Sequence, residues 1–233
     1  MNENIVLSNS ELISKRPEIV LNRIKGNNWW YRFTKRCFDF TSSFIVILLI
    51  SWLLLIIWLV NFIATKGHPI YKDKRVGYKG KEIDVYKFRT MYFDANDNPD
   101  KYFTLEQKEI WLRERKVDND PRITGFGKIL RKTSIDELPQ LFNILFGSMS
   151  VIGWRPVAIK ELENYYPNEL TILFMGKPGL TGYWQVCGRS NAEYDTGERQ
   201  RLELEYYTKR GFWYDLGLVF RTIPAVIRGR GAE

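Results

Sequence analysis

A single histidine and two cysteines among 233 residues remove several common chemistries at once. His68 is followed by proline just past the most apolar segment, and Cys37 and Cys187 belong to no paired motif. A Cys/His zinc site is therefore not expected. A Ser-His-Asp or Cys-His nucleophile would have to rest on His68 alone. Free cysteines fit a reducing compartment. Internal repeats and low-complexity tracts are also missing. What remains for chemistry is carboxylates, arginines, lysines and a hard metal ion.

Charge and apolar residues are plentiful and unevenly placed. Thirty-five Lys and Arg against 27 Asp and Glu give a net charge of +8, which favours acidic partners such as anionic lipid headgroups, nucleotide phosphates or nucleic acid. The length suits one catalytic domain plus a membrane element. From Phe44 to Ala64 the chain reads FIVILLISWLLLIIWLVNFIA, interrupted only by Ser51 and Asn61. As a helix this is about 32 Å long, enough to cross a hydrocarbon core. Both flanks are basic, with Lys35 and Arg36 before the run and Lys66, Lys72, Lys74 and Arg75 after it. A single crossing should place its basic excess on one side. The symmetry instead predicts a re-entrant helix that enters and leaves on one face.

The rest divides into an N-terminal leader over 1–34, the membrane helix over 35–66 and a cytoplasmic catalytic domain over 67–233. Trp29, Trp30 and Tyr31 form an interfacial aromatic cluster leading into the membrane helix. Residues 70–88 read as two short strands around Gly-Tyr-Lys-Gly, and DANDNPD at 94–100 reads as loop. Thr104 with Gln107 predicts a capped, charged helix in which Glu109 pairs with Arg113. Further helices are expected near 126–131, 135–146, 157–165, 168–175, 198–209 and 213–228. In the last, Trp213, Leu216, Phe220, Ile223 and Ile227 make a one-sided stripe, suited to packing on the domain or lying among headgroups. The fold class is α+β and mainly helical. Its parts are the membrane-embedded helix, a small β-hairpin and a helical catalytic domain with interfacial helices.

The segment RKTSIDELPQLFNILFG, from Arg131 to Gly147, carries most of the information. Leu138, Leu141, Phe142 and Leu145 share a helix face, which sets Asp136 and Glu137 in a first turn. Ser134 and Glu137 match a capping box, a purely local role. The same placement also suits chemistry. A carboxylate at a helix N-terminus stays ionised, and arginines nearby can hold a phosphate against it. An ionised Asp can attack phosphorus, while the adjacent Glu handles a proton or helps hold a divalent ion.

Four segments then carry a resemblance: KFRTM at 87–91, LRKTSIDELPQLFNIL at 130–145, GSMSVIGWRPV at 147–157 and KPGLTGYWQVCGRS at 177–190. Together, over about Lys35 to Arg228, they resemble the bacterial sugar transferases. These are monotopic polyprenyl-phosphate hexose-1-phosphate transferases that initiate capsule, exopolysaccharide and O-antigen synthesis. The resemblance implies a location at the bacterial inner membrane, with the catalytic domain on the cytoplasmic face. It makes Asp136 the nucleophile that takes a sugar-1-phosphate from a UDP-sugar with release of UMP, and Glu137 its partner, with Mg²⁺ bound at Asp136 and Glu137. Polyprenyl phosphate then receives the phosphosugar. By the same resemblance Lys87, Arg89, Arg131 and Arg155 bind phosphate, and Gln185 and Arg189 belong to a nucleotide-sugar motif; Gln140 and Asn143 stand as supports for the carboxylate pair. The GLTGYWQVCGRS stretch is similar to relatives that use glucose or galactose. The chain resembles a minimal catalytic unit without the large N-terminal extension of many relatives. It departs from the family pattern at Trp154 and at Ser51-Trp52, where proline and Ser-Pro are usual.

Three other readings compete. A basic membrane scaffold without catalysis predicts that Asp136→Asn changes little. A glycosyltransferase moving the sugar alone releases UDP, not UMP. Nucleic-acid binding is compatible with the charge, but no recognised motif supports it. The oligomeric state is left open, a homodimer included.

Overall fold

The computed structural model describes residues 29–95, 97–114, 117–158, 161, 175–187 and 198–227. Helix α1, Trp29–Ala64, is 36 residues long and uninterrupted through Ser51. At ~1.5 Å per residue it measures about 54 Å, and it is long and apolar enough to cross a membrane. Leu48, Leu49, Trp52 and Ile63 are among its many exposed apolar side chains. The helix starts in the aromatic cluster itself, at Trp29, because Trp29 through Lys35 carry no glycine or proline that would stop it.

An antiparallel hairpin follows, β1 Ile70–Val76 and β2 Glu82–Phe88, around the expected Gly-Tyr-Lys-Gly turn. Then come α2 Leu105–Glu114, α3 Gly125–Lys132, a 3-10 turn at Ile135–Glu137 and α4 Gln140–Phe146. Strand β3, Ser150–Ile152, pairs in parallel with β4, Gly179–Thr181. This small sheet escapes a sequence reading because its three-residue strands are too short to show a period. Helices α5 Tyr183–Cys187, α6 Glu198–Lys209 and α7 Phe212–Ile227 complete the described chain. The leader through residue 28, almost all of the helices expected near 157–165 and 168–175, and the Arg113 side chain lie outside the described residues.

The chain divides into two compact units, one built from 1–45, 74–85 and 141–231, the other from 46–73, 86–140 and 232–233. In the first, the core gathers Ile152, Trp154, Val157, Leu202, Tyr207 and Leu218, each at most 5% exposed. Trp154 fills this core. Its indole N–H donates to the Gly176 carbonyl at 3.0 Å, and its own carbonyl accepts from Gly179 at 2.8 Å. A Cβ on Gly179 would lie 2.1 Å from the Gly153 nitrogen, so the β3–β4 approach demands glycine. Arg36 donates to the carbonyls of Ile144 and Leu145, both at 2.7 Å, which places a cation on the C-terminal end of α4. Asp39 accepts from the Ser150 hydroxyl and the Val151 N–H, both at 3.0 Å. Asp215 takes bonds from Tyr31 at 2.8 Å, Tyr206 at 3.0 Å and Lys35 at 2.6 Å. The basic residues ahead of the apolar run are thus wired into the fold.

Of the two roles open to the α7 stripe, packing on the domain is not taken by Trp213 and Phe220, which are 79% and 64% exposed. Among the described side chains of α7, Asp215 and Leu218 are the buried ones. The hydrogen bonds to Asp215 and the Leu218 contact in the core set the helix rotation and leave Trp213 and Phe220 outside.

Candidate active site

Lys87, Arg89 and Arg131 fall in the second unit together with the Asp-Glu pair, and the local backbone explains how they meet. The end of β2 runs into Arg89-Thr90-Met91, and Met91 forms an isolated antiparallel bridge with Ile123. Thr124 donates its N–H to the Thr90 carbonyl at 2.9 Å and caps α3 by accepting from Gly127 at 2.9 Å. Helix α3 approaches Thr90 so closely that a Cβ on Gly127 would lie 2.1 Å from the Thr90 oxygen. Arg131, in the last turn of α3, then donates its Nε to the Thr90 hydroxyl at 2.9 Å. Thr90 therefore ties the KFRTM segment to the helix that delivers Arg131.

After α3 the backbone reverses through Ser134, whose φ of 54° lies in the left-handed region. The capping box expected at Ser134 is not formed, for Ser134 makes no side-chain cap bond. Asp136 and Glu137 sit instead in a separate 3-10 turn, ahead of Pro139 and α4. Pro139 has no N–H to give, and α4 begins only after it. The pair is thus presented on a tight turn beside α3 and not in the first turn of the α-helix.

Asp136 is half-buried, and its pKa is raised to about 6, first by burial and then by the neighbouring Glu137 charge; Lys87 and Arg131 oppose the rise. A fully ionised carboxylate at a helix N-terminus is therefore corrected to a partly desolvated one that ionises near neutrality. Lys87 donates to Glu137 at 3.2 Å. Arg131 is depressed by burial, while Asp136 and Asp120 favour its charge. Arg89 donates its Nε to the His68 carbonyl at 2.9 Å, and its guanidinium lies over the rings of Tyr71 and Phe93 at 5.4 and 5.2 Å. His68 stacks on Phe93 with ring centroids 3.7 Å apart.

The structure therefore groups Asp136, Glu137, Lys87 and Arg131, with Arg89 anchored to the residues after α1. Arg155 and Gln185 belong to the other unit. There the Arg155 N–H donates to Glu203 at 3.2 Å and its guanidinium lies over Trp184 at 6.0 Å, while Gln185 is carried on α5. Arg189 lies outside the described residues. Gln140 is buried at the start of α4. Asn143 is held in a structural role, donating to the Asp84 carbonyl at 2.6 Å and to the Ser148 hydroxyl at 3.0 Å. Sequence reasoning passed over Thr90 and the buried pair Asp120–Arg122, whose N–O contact is 2.6 Å. Arg122 also lies over Phe103 at 4.5 Å and Trp111 at 5.2 Å. Their signal is local: the Thr follows Lys-Phe-Arg directly, and Asp120-Pro-Arg122 leads into the Thr124 cap.

As a chemical device the group offers one carboxylate with a pKa of about 6, a second held by a lysine, and a half-buried arginine with hydroxyl support. That combination suits an attack on an electrophilic phosphorus whose oxygens need cations. A model of the family described as bacterial sugar transferase matches residues 30–229.

The chain belongs to the bacterial sugar transferase family.

It is 40% identical over 200 residues to the exopolysaccharide production protein ExoY of Rhizobium meliloti, covering 85% of this chain and 87% of that one. It is 39% identical over 219 residues to the undecaprenyl-phosphate galactose phosphotransferase of Salmonella typhimurium, covering 92% of this chain and 45% of that one. A UDP-glucose:undecaprenyl-phosphate glucose-1-phosphate transferase of Klebsiella pneumoniae is 37% identical over 228 residues, covering 94% and 45%. The chain thus spans about half the length of two of these relatives and most of ExoY. The bacterial sugar transferase match includes the whole Lys87–Glu137 assembly, so the cluster lies inside the part of the chain that defines the family.

Proposed function

We propose that this protein transfers a sugar-1-phosphate from a UDP-sugar to a polyprenyl phosphate, as an opening membrane step of surface-polysaccharide synthesis. The observation that carries the reading is Asp136, half-buried between a carboxylate and two cations in a chain of this family. A carboxylate oxygen of Asp136 attacks the phosphorus that bears the sugar. The bond to the nucleotide oxygen breaks, UMP leaves, and an acyl phosphate links Asp136 to the sugar phosphate. An oxygen of polyprenyl phosphate then attacks the same phosphorus and returns Asp136 as a carboxylate. Arg131 and Lys87 balance the phosphate charge as it shifts towards the leaving group. With a pKa of about 6, Asp136 is mostly ionised at neutral pH yet bears little solvation to shed.

Among the described residues no cluster of three or more metal-ligating side chains occurs. Two adjacent carboxylates nonetheless fit Mg²⁺, which commonly takes one or two carboxylates and fills its sphere with water and substrate phosphate. Asp136 and Glu137 are the residues that would hold it. Mg²⁺ bound there supplies positive charge to the pyrophosphate. Arg155 and Gln185 are assigned by the family resemblance to substrate binding, and glucose or galactose is the sugar class favoured by the named relatives.

Helix α1 lies in the bacterial inner membrane in this proposal, with the catalytic groups on the cytoplasmic face. The basic residues on both sides of its apolar run support a same-face path. The exposed Trp213 and Phe220 on α7 suit the headgroup layer.

The test is UMP release by the full chain in nanodiscs supplied with undecaprenyl phosphate, Mg²⁺ and a panel of UDP-sugars. UMP is expected only with the lipid present, and Asp136→Asn should lower its rate by about 10⁶-fold, as loss of a nucleophile does elsewhere. Release of UDP would instead show transfer of sugar alone.

A further inference from the structure

Within the first unit, the opening turns of α1 and the segments around β3 and β4 enclose a cavity of 460 Å³. Arg32, Lys35, Arg36 and Lys177 line it, and none of them belongs to the Asp136 cluster. Their charges are unequally matched. Lys35 bonds to Asp215 at 2.6 Å, and Arg36 is spent on the α4 carbonyls. Asp39, which also lines the cavity, is occupied by Ser150 and Val151. Arg32 lies over the Tyr78 ring at 5.9 Å. Among the described residues, neither Arg32 nor Lys177 has a hydrogen bond or ion pair.

Lys177 is not merely at the rim. Its ammonium and the Arg36 guanidinium flank Gly147, where a Cβ would lie 3.4 Å from Lys177 Nζ and 3.3 Å from Arg36 Nη2. Burial disfavours the Lys177 charge, Arg36, Arg32 and Lys35 disfavour it further, and only Asp39 acts in the opposite sense. Five cations, these four and Arg210, facing one committed carboxylate are costly to assemble unless an anion joins them. The remaining wall is aromatic and aliphatic, including Trp29, Phe33, Tyr78 and Met175. Trp29 and Phe33 are 64% and 49% exposed and stack on each other at 5.3 Å, at the start of the helix that continues into the apolar run. A small inorganic anion has no use for such walls. A phosphate joined to an apolar chain uses both parts.

We propose that this cavity is a lipid-phosphate site. Lys177 and Arg32 bind the anionic phosphate, Arg36 adds positive charge beside it, and the aromatic wall takes the first part of the chain. It would fix the depth and rotation of α1 by gripping an anionic lipid at the helix's N-terminal end. The inference rests on the membrane placement proposed above and is independent of phosphosugar transfer, so a binding measurement separates the two.

Full-length protein in dodecylmaltoside micelles is titrated with phosphatidylglycerol, undecaprenyl phosphate, phosphatidylcholine or inorganic phosphate, and bound molecules are counted by native mass spectrometry. One tightly held anionic lipid per chain is expected, with phosphatidylcholine and inorganic phosphate clearly weaker. Arg32→Gln and Lys177→Gln should each weaken it about tenfold, the worth of a hydrogen bond to a charged group. Lys177→Arg should restore it, and Lys108→Gln, on α2, should leave it unchanged. Arg32 is exposed, so its variant reports binding without burdening the fold. Tighter binding of phosphatidylglycerol identifies the bilayer lipid as the occupant, and tighter binding of undecaprenyl phosphate identifies the carrier lipid. Wild-type retention in both Gln variants would overturn the proposal. So would equal weakening by Lys108→Gln, equal binding of phosphatidylcholine or inorganic phosphate, or displacement of the lipid by UMP.

Discussion

The Asp136 turn and the foot of α1 both gather charge, but they treat it oppositely. At the turn, carboxylates and cations are interleaved: Glu137 faces Lys87, and Asp136 feels both Lys87 and Arg131. At the foot of α1 most charges are committed to structure, and among the described residues Lys177 and Arg32 have no carboxylate of their own. An interleaved site can change its protonation or covalent state without stranding a charge, which is what a nucleophile requires. A site with surplus cations cannot be neutral by itself and is complete only with a ligand. The comparison separates a place that reacts from a place that holds.

The sharpest way to break the comparison is to remove one cation from the reacting site. Arg131→Met should lower the turnover for UMP release about 10²–10³-fold, the usual loss for a preorganised charge at a developing oxyanion. If Arg131 acts on the transition state, kcat falls more than KM rises. A loss confined to KM would make it a ground-state phosphate clamp.

Removing an anion from the holding region should instead cost stability. Asp215 is 5% exposed and takes bonds from Tyr31, Tyr206 and Lys35. Asp215→Ala leaves the Lys35 ammonium, 18% exposed, without its carboxylate. The expected cost is about 3 kcal/mol, as for other broken buried pairs. Denaturant unfolding in detergent, read by tryptophan fluorescence, checks it. Lys35→Met in the same background should recover part of the loss, because the stranded charge goes with it.

How far the sequence discloses these two regions follows from the range of the forces that shape them. The apolar run, the hairpin around Gly-Tyr-Lys-Gly and the Thr104–Gln107 capping box are written locally, and the structure forms each of them; the cap bonds are 3.1 and 3.2 Å. The Asp-Glu pair is legible as a motif. Its 3-10 turn is not, because a capping-box spacing is also satisfied by a turn that Pro139 keeps apart from α4. Thr90 reaches across 41 positions to Arg131, and Asp39 across 111 to Ser150. No period or spacing in the chain announces contacts of that length. The outward placement of Trp213 and Phe220 on α7 is hidden for a related reason: buried hydrogen bonds to Asp215 decide it, and the apolar pattern leaves packing and headgroup contact equally open.

The smallest expected effect tests the reacting site through its titration. Asp136 has a folded pKa of about 6, above the ordinary carboxylate value of 3.8. The folded state therefore holds its proton more tightly than the unfolded state does. Ionising Asp136 costs nothing below about pH 3.8, costs progressively more up to pH 6, and costs its full amount above that. Asp136→Asn removes that cost, so in EDTA its advantage in melting temperature over the wild type should be absent at pH 3.5, grow between pH 4 and 6, and then level off. The shift converts to at most about 3 kcal/mol. Because the carboxyl is partly exposed, screening reduces this to the order of 1 kcal/mol, or about 2–4 °C for a chain of this size. Adding Mg²⁺ at pH 7.5 should raise the melting temperature of the wild type and leave Asp136→Asn nearly unmoved, since an ion that binds only the folded carboxylates stabilises by mass action. A flat pH dependence would mean that Asp136 is as well solvated as a surface carboxylate. Its reactivity would then have to come from the substrate-bound state alone.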